Sequence, residues 1–116
     1  VAVEGNIVPL SAPGLWLGRT RGVNPSRHER ALRICTPSNF PVRVWLNGAK
    51  VVDNPGSERI MPSYHANADH HYGAGILQPG WNEVHAAWLR ADGDGESHFF
   101  LTDPDGRGWG DLVFEP

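Results

Sequence analysis

The sequence predicts an all-β fold, an antiparallel β-sandwich built from about seven to nine short strands. Two observations favour this fold class. Apolar and polar residues alternate over short stretches, which is typical of strands with one buried face, and helical periodicity is nearly absent. The 14 Gly and 10 Pro are spread singly along the chain, which indicates frequent turns between these stretches.

The first half of the chain contains the clearest hairpin. Asn47-Gly48 separates two apolar runs, and this pair is a preferred two-residue turn between antiparallel strands. Upstream, Pro37 ends a predicted strand, and Pro9 and Pro13 punctuate a less regular N-terminal stretch. The predicted strands, of which the first two are expected at sheet edges, cover residues 3–8, 15–17, 29–36, 42–46 and 49–52.

The second half repeats the alternation of strand and turn. The alanines of residues 82–91 fit a helix, but Val84, Ala86 and Trp88 share one phase of a two-residue alternation, which favours a strand. Gly73 and Gly75 lie in the strand predicted at 71–77 and are expected to weaken it or to form a bulge. The other predicted strands cover residues 58–64, 71–77, 96–102 and 111–114.

Strand direction predicts which turns are neighbours. Successive antiparallel strands reverse direction, so the turn at 78–80 and the loop at 103–109 are expected at the same end of the fold. Trp81 and Trp109 lie at these two places and are expected to meet at one rim.

Length and composition narrow the class of protein. The 116 residues suit one domain, residues 1–116, and the chain begins at Val1 without a Met, so we expect a piece of a larger protein. No apolar run is long enough to span a membrane, so no membrane partner is expected. Cys35 is the only cysteine and is expected to be a quiet, partly buried thiol. A basic cluster between Arg19 and Arg33 suggests nucleic acid, but the net charge of −3 argues against such a partner.

Several turn residues resemble those of a known family. In the order found in galactose-binding-like jelly-roll modules, the chain contains Leu46-Asn47-Gly48 with Lys50, then Gly80-Trp81-Asn82, then Asp103 with Gly106. These modules are appended to bacterial glycoside hydrolases and other polysaccharide-active enzymes. The resemblance implies a non-catalytic jelly-roll sandwich that often binds carbohydrate and often carries a structural calcium ion. Some members only pack against a catalytic domain.

Motifs for catalysis are absent from the sequence. It contains no nucleophile elbow, no phosphate loop and no H-E-x-x-H pair, so we predict that the domain is not itself an enzyme. A zinc site at His65, His70 and His71 is disfavoured, because adjacent strand residues point to opposite faces. Calcium fits better, since carboxylates alternate with Gly in two turns. The candidate ligands are Asp92, Asp94 and Glu96, with Asp103 and Asp105 as a second pair.

Sugar binding needs an aromatic face against the apolar side of a pyranose and polar groups for its hydroxyls. Among the five Trp, Trp88 is expected in the core by its phase, and Trp81 is expected to cap the core at a tight turn. Trp16 is ambiguous. The favoured ligand contact is Trp109 in a Gly-rich loop, with polar partners at Asp103, Asp105 and Arg107.

Trp45 has two interpretations. If Val42, Val44 and Leu46 face the core, Trp45 and Arg43 face outward, and the same phase is expected to include Arg33 and His85. The outward Trp45–Arg43 pair is suited to stacking on a sugar. It is equally suited to being covered by another segment or domain.

Together these patterns lead to one hypothesis and two alternatives. The leading hypothesis is a non-catalytic carbohydrate-binding module that attaches a secreted or periplasmic enzyme to an oligosaccharide or polysaccharide. The first alternative is a structural or interaction module that packs against the catalytic domain of its parent protein without binding sugar. The second is a small enzyme or metal protein.

Overall fold

A computed structural model of the chain describes residues 8–57, 71–104 and 113–115. These residues form eight β-strands and no α-helix, so the predicted all-β class is confirmed. The described part contains no helix that could cross a membrane. The predicted strand at 58–64 and most of that at 3–8 lie outside these ranges. The strands are β1 (Gly14–Asn24), β2 (Arg30–Cys35), β3 (Val42–Leu46), β4 (Ala49–Asn54), β5 (Tyr72–Leu77), β6 (Gly80–Arg90), β7 (Phe100–Thr102) and β8 (Val113–Glu115).

The strands form two sheets around one core. The five-stranded sheet has the order β4-β3-β6-β1-β8, and the three-stranded sheet has the order β5-β2-β7. All the pairings within the sheets are antiparallel. Because apolar residues alternate along the strands, each sheet turns one apolar face inward. The shared core cluster comprises Val8, Leu32, Ile34, Val42, Val44, Leu46, Val52, Leu77, Val84, Ala86 and Trp88.

The predicted hairpin is present, and its turn is tied to a third strand. Asn47 and Gly48 have φ angles of 50° and 84°, the left-handed values that a tight hairpin turn requires. The Asn47 side chain donates to Asn82 Oδ1 (2.9 Å) and accepts from the backbone N–H of Glu83 (2.8 Å). Asn82 in turn donates to the carbonyls of Gln78 and Gly80. The β3–β4 turn is therefore fixed to the start of β6.

The N-terminal strand corrects the sequence prediction. Residues 15–17 were expected to form a short edge strand, but β1 is 11 residues long and lies between β6 and β8. Its inward positions hold Trp16, which is half-buried and packs against the core, followed by the small residues Gly18, Thr20 and Gly22 opposite buried residues of β6. Its largest aliphatic residues point outward. The core-facing side of β1 therefore lacks the regular run of apolar residues that would have predicted its full length.

The last long predicted strand is interrupted. Residues 96–102 were expected to form one strand, but β7 contains only Phe100–Thr102. Ser97 forms an isolated bridge with Ser38, and the N–H of His98 donates to Pro37 O (2.8 Å). The chain is therefore extended at 97–98 against the segment after β2, before it joins the three-stranded sheet.

Two glycines let the sheets approach closely. Gly73 and Gly75 of β5 face inward, and β5 pairs with β2 without the bulge that the sequence suggested. A Cβ added at Gly73 would meet Val51 O at 1.9 Å, and one at Gly75 would meet Leu46 Cδ2 at 2.7 Å. These glycines are therefore required where β5 crosses the β3–β4 hairpin.

We predict that Gly73→Ala destabilises the domain by about 3 kcal/mol or more. The obstacle is the backbone of β4, which cannot rotate away as a side chain would. Urea denaturation measures the change. Ala74→Ser, on the exposed side of the same strand, is the control and should stay within about 0.5 kcal/mol of the parent domain. Equal stability of the two variants would contradict the close packing of the sheets.

Candidate functional site

The outward side of the five-stranded sheet gathers exposed aromatic, aliphatic and charged residues. Its residues lie opposite one another across β3, β6 and β1 and alternate with the core residues of the same strands. We call this surface the open face. It comprises Leu15, Leu17, Arg19, Arg21, Val23, Arg43, Trp45, Trp81, Glu83, His85, Ala87 and Leu89.

Trp45 lies on the open face, as its phase predicted. Val42, Val44 and Leu46 are buried, whereas Trp45 is half-buried and lies directly opposite His85. Its partner on the other side is Lys50, at a bulge between β3 and β4. The ring is therefore held between neighbouring strands but keeps access to solvent. Arg33 does not share this face, because β2 belongs to the three-stranded sheet.

Arg43, predicted to accompany Trp45, is engaged by an exposed carboxylate. Arg43 Nε lies 3.4 Å from Asp53 Oδ1, and Lys50 Nζ lies 3.0 Å from Asp53 Oδ2. The hydrogen bond from Lys50 lowers the pKa of Asp53. Exposed ion pairs contribute little to stability, so this cluster mainly orders the polar edge beside Trp45.

Trp81 was predicted to cap the core, and this prediction is wrong. The residue is 55% exposed on the open face. The inward position next to it is taken by Asn82, which is buried and makes its hydrogen bonds to the turn. The guanidinium of Arg21 lies 5.1 Å from the centroid of the Trp81 ring. The ring is thus supported from β1 and remains accessible.

The open face has two chemically different ends. At one end, which we call the polar end, β1 and β6 place Arg21 opposite Glu83 and Arg19 opposite His85, next to Trp81. His85 Nε2 lies 3.6 Å from Glu83 Oε2. This end offers hydrogen-bond donors and acceptors beside an accessible indole.

The other end, which we call the leucine end, is apolar. Leu15 lies directly opposite Leu89, and Leu17 lies opposite Ala87. The three leucines are 66%, 54% and 65% exposed, in the order Leu15, Leu89 and Leu17. Three neighbouring exposed leucines are more typical of an interaction surface than of a solvated strand.

The predicted ligand loop is only partly described. Trp109, Arg107 and Asp105 lie outside the described residues. Asp103 is half-buried at the end of β7, and its carbonyl accepts a hydrogen bond from the Thr102 hydroxyl (2.8 Å). Because β7 belongs to the three-stranded sheet, the structure does not bring Asp103 together with Trp45 and Arg43.

Next to Asp103 lies a shallow groove of about 250 Å³ on the three-stranded sheet. Arg33 lines this groove, and its guanidinium lies 5.2 Å from the Tyr72 ring centroid. The side chains along the groove are mainly small or aliphatic and include Ala31, Ala74, Ile76 and Pro104. The groove therefore offers less polar chemistry than the open face.

The strand register shows which strands of the five-stranded sheet begin at the same end. Gly80 of β6 pairs with Asn24, and Val113 of β8 pairs with Val23, so β6 and β8 begin at the same end of β1. The turn at 78–80 and the first residue of β8 therefore lie at one end of the five-stranded sheet, while Trp109, which was expected to meet Trp81 at one rim, lies outside the described residues.

The turn predicted to bind calcium is held by an arginine. Arg90 donates to the carbonyls of Ala91 (2.7 Å) and Gly93 (3.1 Å), and its guanidinium lies 4.9 Å from the Phe40 ring centroid. It thus already supplies positive charge to carbonyl oxygens that a calcium ion would use. The described residues contain no group of three or more His, Cys, Asp or Glu suited to a metal ion, so Asp92, Asp94 and Glu96 are not brought together as ligands. A structural calcium ion stays a prediction.

Among the histidines considered for zinc, only His71 is described. It is buried, and its Nδ1 lies 3.0 Å from Asn54 Nδ2 and 3.3 Å from the backbone nitrogen of Ser38. Since both neighbours are amide donors, Nδ1 acts as an acceptor within the fold. Asn54 completes this cluster by donating to Thr36 O (2.8 Å). His71 therefore joins β4 to the segment after β2, which is a structural role, while His65 and His70 lie outside the described residues.

Cys35 is a free, buried thiol, as the sequence indicated. Burial raises the pKa of the Cys35 thiol to about 11, and the Thr102 hydrogen bond and the charge of Arg33 oppose this rise only in part. The reactive thiolate is therefore scarce near neutral pH, which disfavours a nucleophilic role.

We predict that Cys35 makes folding sensitive to alkaline pH. The folded state favours the protonated thiol, so the stabilisation that Cys35 contributes is fully present below the unfolded pKa of about 8.5. It is lost as the pH rises through the folded value of about 11. Denaturant unfolding across this range should show a steeper loss of stability for the parent domain than for Cys35→Ala. Parallel pH profiles of the two proteins would contradict the raised pKa.

Comparison with known proteins assigns no family: no family model, curated protein or solved structure matches this chain. The candidate site is therefore argued from its geometry. The sequence did not predict that Trp81, Arg21 and Glu83 lie together on the open face. One signal was available, because Trp81 is out of phase with Val84 and Trp88, the predicted core positions of the same strand.

Proposed function

We propose that this domain is a non-catalytic carbohydrate-binding module of the jelly-roll type, and that the open face is its binding surface. The observation that carries the proposal is the placement of Trp45 and Trp81 on one solvent-facing sheet surface. Charged and imidazole side chains lie between the two rings. Two tryptophans on one side of a sheet offer stacking surfaces that a polysaccharide chain can follow.

The chemistry of the open face suits sugar hydroxyls. An indole ring packs against the C–H face of a pyranose, while Arg, Glu and His side chains exchange hydrogen bonds with its hydroxyls. Arg21 supports the Trp81 ring, and neighbouring strands hold the half-buried Trp45. Binding therefore orders few side chains, which lowers its entropic cost.

A module of this kind has a role only within a larger protein. We place it in a secreted or periplasmic polysaccharide-active enzyme, where weak binding through the open face keeps the catalytic domain near its substrate. This part of the proposal rests on the resemblance of the turn sequences to galactose-binding-like modules.

We predict that a glycan array detects binding of the isolated domain and that Trp81→Ala weakens it by about three- to tenfold. This range corresponds to the loss of about 0.7–1.4 kcal/mol, which is typical of a stacking interaction. Trp45→Ala should weaken binding in the same way. Ile76→Ala, an exposed apolar residue on the three-stranded sheet, is the matched control and should bind as the parent does.

The array separates two failures of this proposal. Unchanged glycan binding by both tryptophan variants would exclude the open face as the binding site without contradicting carbohydrate binding by the domain. Absence of binding to every glycan, with and without added calcium, would contradict the carbohydrate-binding function itself.

A second candidate function is favoured by the leucine end. Leu15, Leu17 and Leu89 form a contiguous exposed apolar surface, and leucine contributes little to sugar recognition. We propose that, if no glycan binds, this end packs against the catalytic domain of the parent protein and orients it. Aliphatic burial of this kind is typical of stable interdomain contacts.

The double variant Leu15→Ser, Leu17→Ser tests this second function. In the isolated domain both side chains are exposed, so the change in stability should stay small, within about 1 kcal/mol. In the full-length protein the same variant should lower the melting temperature, because contacts with the partner domain are lost. Identical shifts in the isolated domain and the full-length protein would contradict packing through the leucine end.

A further inference from the structure

We propose that the open face binds an internal segment of an extended polysaccharide that lies along β6, rather than a single sugar or a chain end. The inference rests on the proposed carbohydrate-binding function and specifies its ligand. It is carried by the separation of the two tryptophans and by the polar residues between them.

The separation excludes a single sugar as the common ligand. Trp45 lies opposite His85, four residues along β6 from Trp81. At about 3.4 Å per residue, these positions are about 14 Å apart along the strand, with a further offset of about 4.8 Å between neighbouring strands. One pyranose ring is much smaller than this distance. A ligand that contacts both rings must therefore contain several sugar units.

The space between the two tryptophans is lined with hydrogen-bonding groups. Glu83 and His85 point outward from β6, and Arg21 and Arg19 lie directly opposite them on β1. Glu83 and His85 thus follow one another along β6 between Trp81 and the position opposite Trp45, and the two arginines flank them on the side away from β3. A sugar unit placed between the aromatic contacts meets both donors and acceptors, so the chain is recognised along its length.

Exposed side chains flank the line of contacts. Trp81 is exposed at one end, and beyond Trp45 the face continues into the leucine end with Leu17 exposed. A polysaccharide lying along β6 can therefore extend past both tryptophans. Recognition of a chain end would instead need groups that close around a terminal sugar.

Calorimetric titration with oligosaccharides of increasing length, prepared from the polysaccharide that binds best, tests the inference. Affinity should rise with length until the ligand reaches both tryptophans and should then level off. For ligands long enough to span both rings, Trp81→Ala and Trp45→Ala should each weaken binding by about three- to tenfold. For the shortest ligand that binds, only one of these variants should have an effect.

Two further comparisons sharpen the test. Arg19→Gln should weaken binding of the long ligands, whereas Arg27→Gln, an exposed arginine in the turn between β1 and β2, should not. Oligosaccharides modified at both ends should bind as well as unmodified ones. Loss of binding on end modification would overturn the inference of an internal segment.

The outcomes distinguish this inference from the proposed function. Affinity that is independent of ligand length, with binding weakened by only one of the two tryptophan variants, would overturn the extended ligand and leave sugar binding in place. Failure to bind any polysaccharide would overturn both.

Discussion

β6 is the strand on which the rest of the five-stranded sheet depends. It pairs with β1 along its whole length and with β3 on its other side. Its two-residue alternation sends Val84, Ala86 and Trp88 into the core and Trp81, Glu83 and His85 to the open face. A shift of one residue would exchange the two sets, so the same register determines both stability and the candidate site.

A small polar network fixes that register. Asn82 accepts hydrogen bonds from Gln78 and Asn47 and donates to the carbonyls of Gln78 and Gly80, so a buried amide is fully satisfied at the strand's start. Asn47 also accepts from the backbone of Glu83. The hairpin turn and the first residues of β6 therefore hold each other in place, and this contact places Trp45 and Trp81 on the same face.

The sequence predicted the features that arise from local chemistry. The Asn47-Gly48 turn, the strand character of residues 82–91 and the burial of Trp88 follow from turn preference and alternation. The outward phase of Trp45 followed from the same alternation. The prediction that Trp81 caps the core was wrong because it followed from the position of Trp81 at a turn and not from its phase in the strand. Asn82 occupies the inward position instead.

The full length of β1 could not be predicted from periodicity, since the inward positions after Trp16 are Gly18, Thr20 and Gly22 and the leucines of the strand point outward. Its length is apparent only from the pairing with β6. Local sequence therefore determined an all-β chain, the hairpin and the faces of β3, because turn preference and two-residue alternation act between near neighbours. Only the tertiary structure decided which strands share a sheet, and thus that Trp45, Trp81 and the arginines of β1 form one surface. Those pairings join residues distant in the chain, and their register depends on the packing of the whole core.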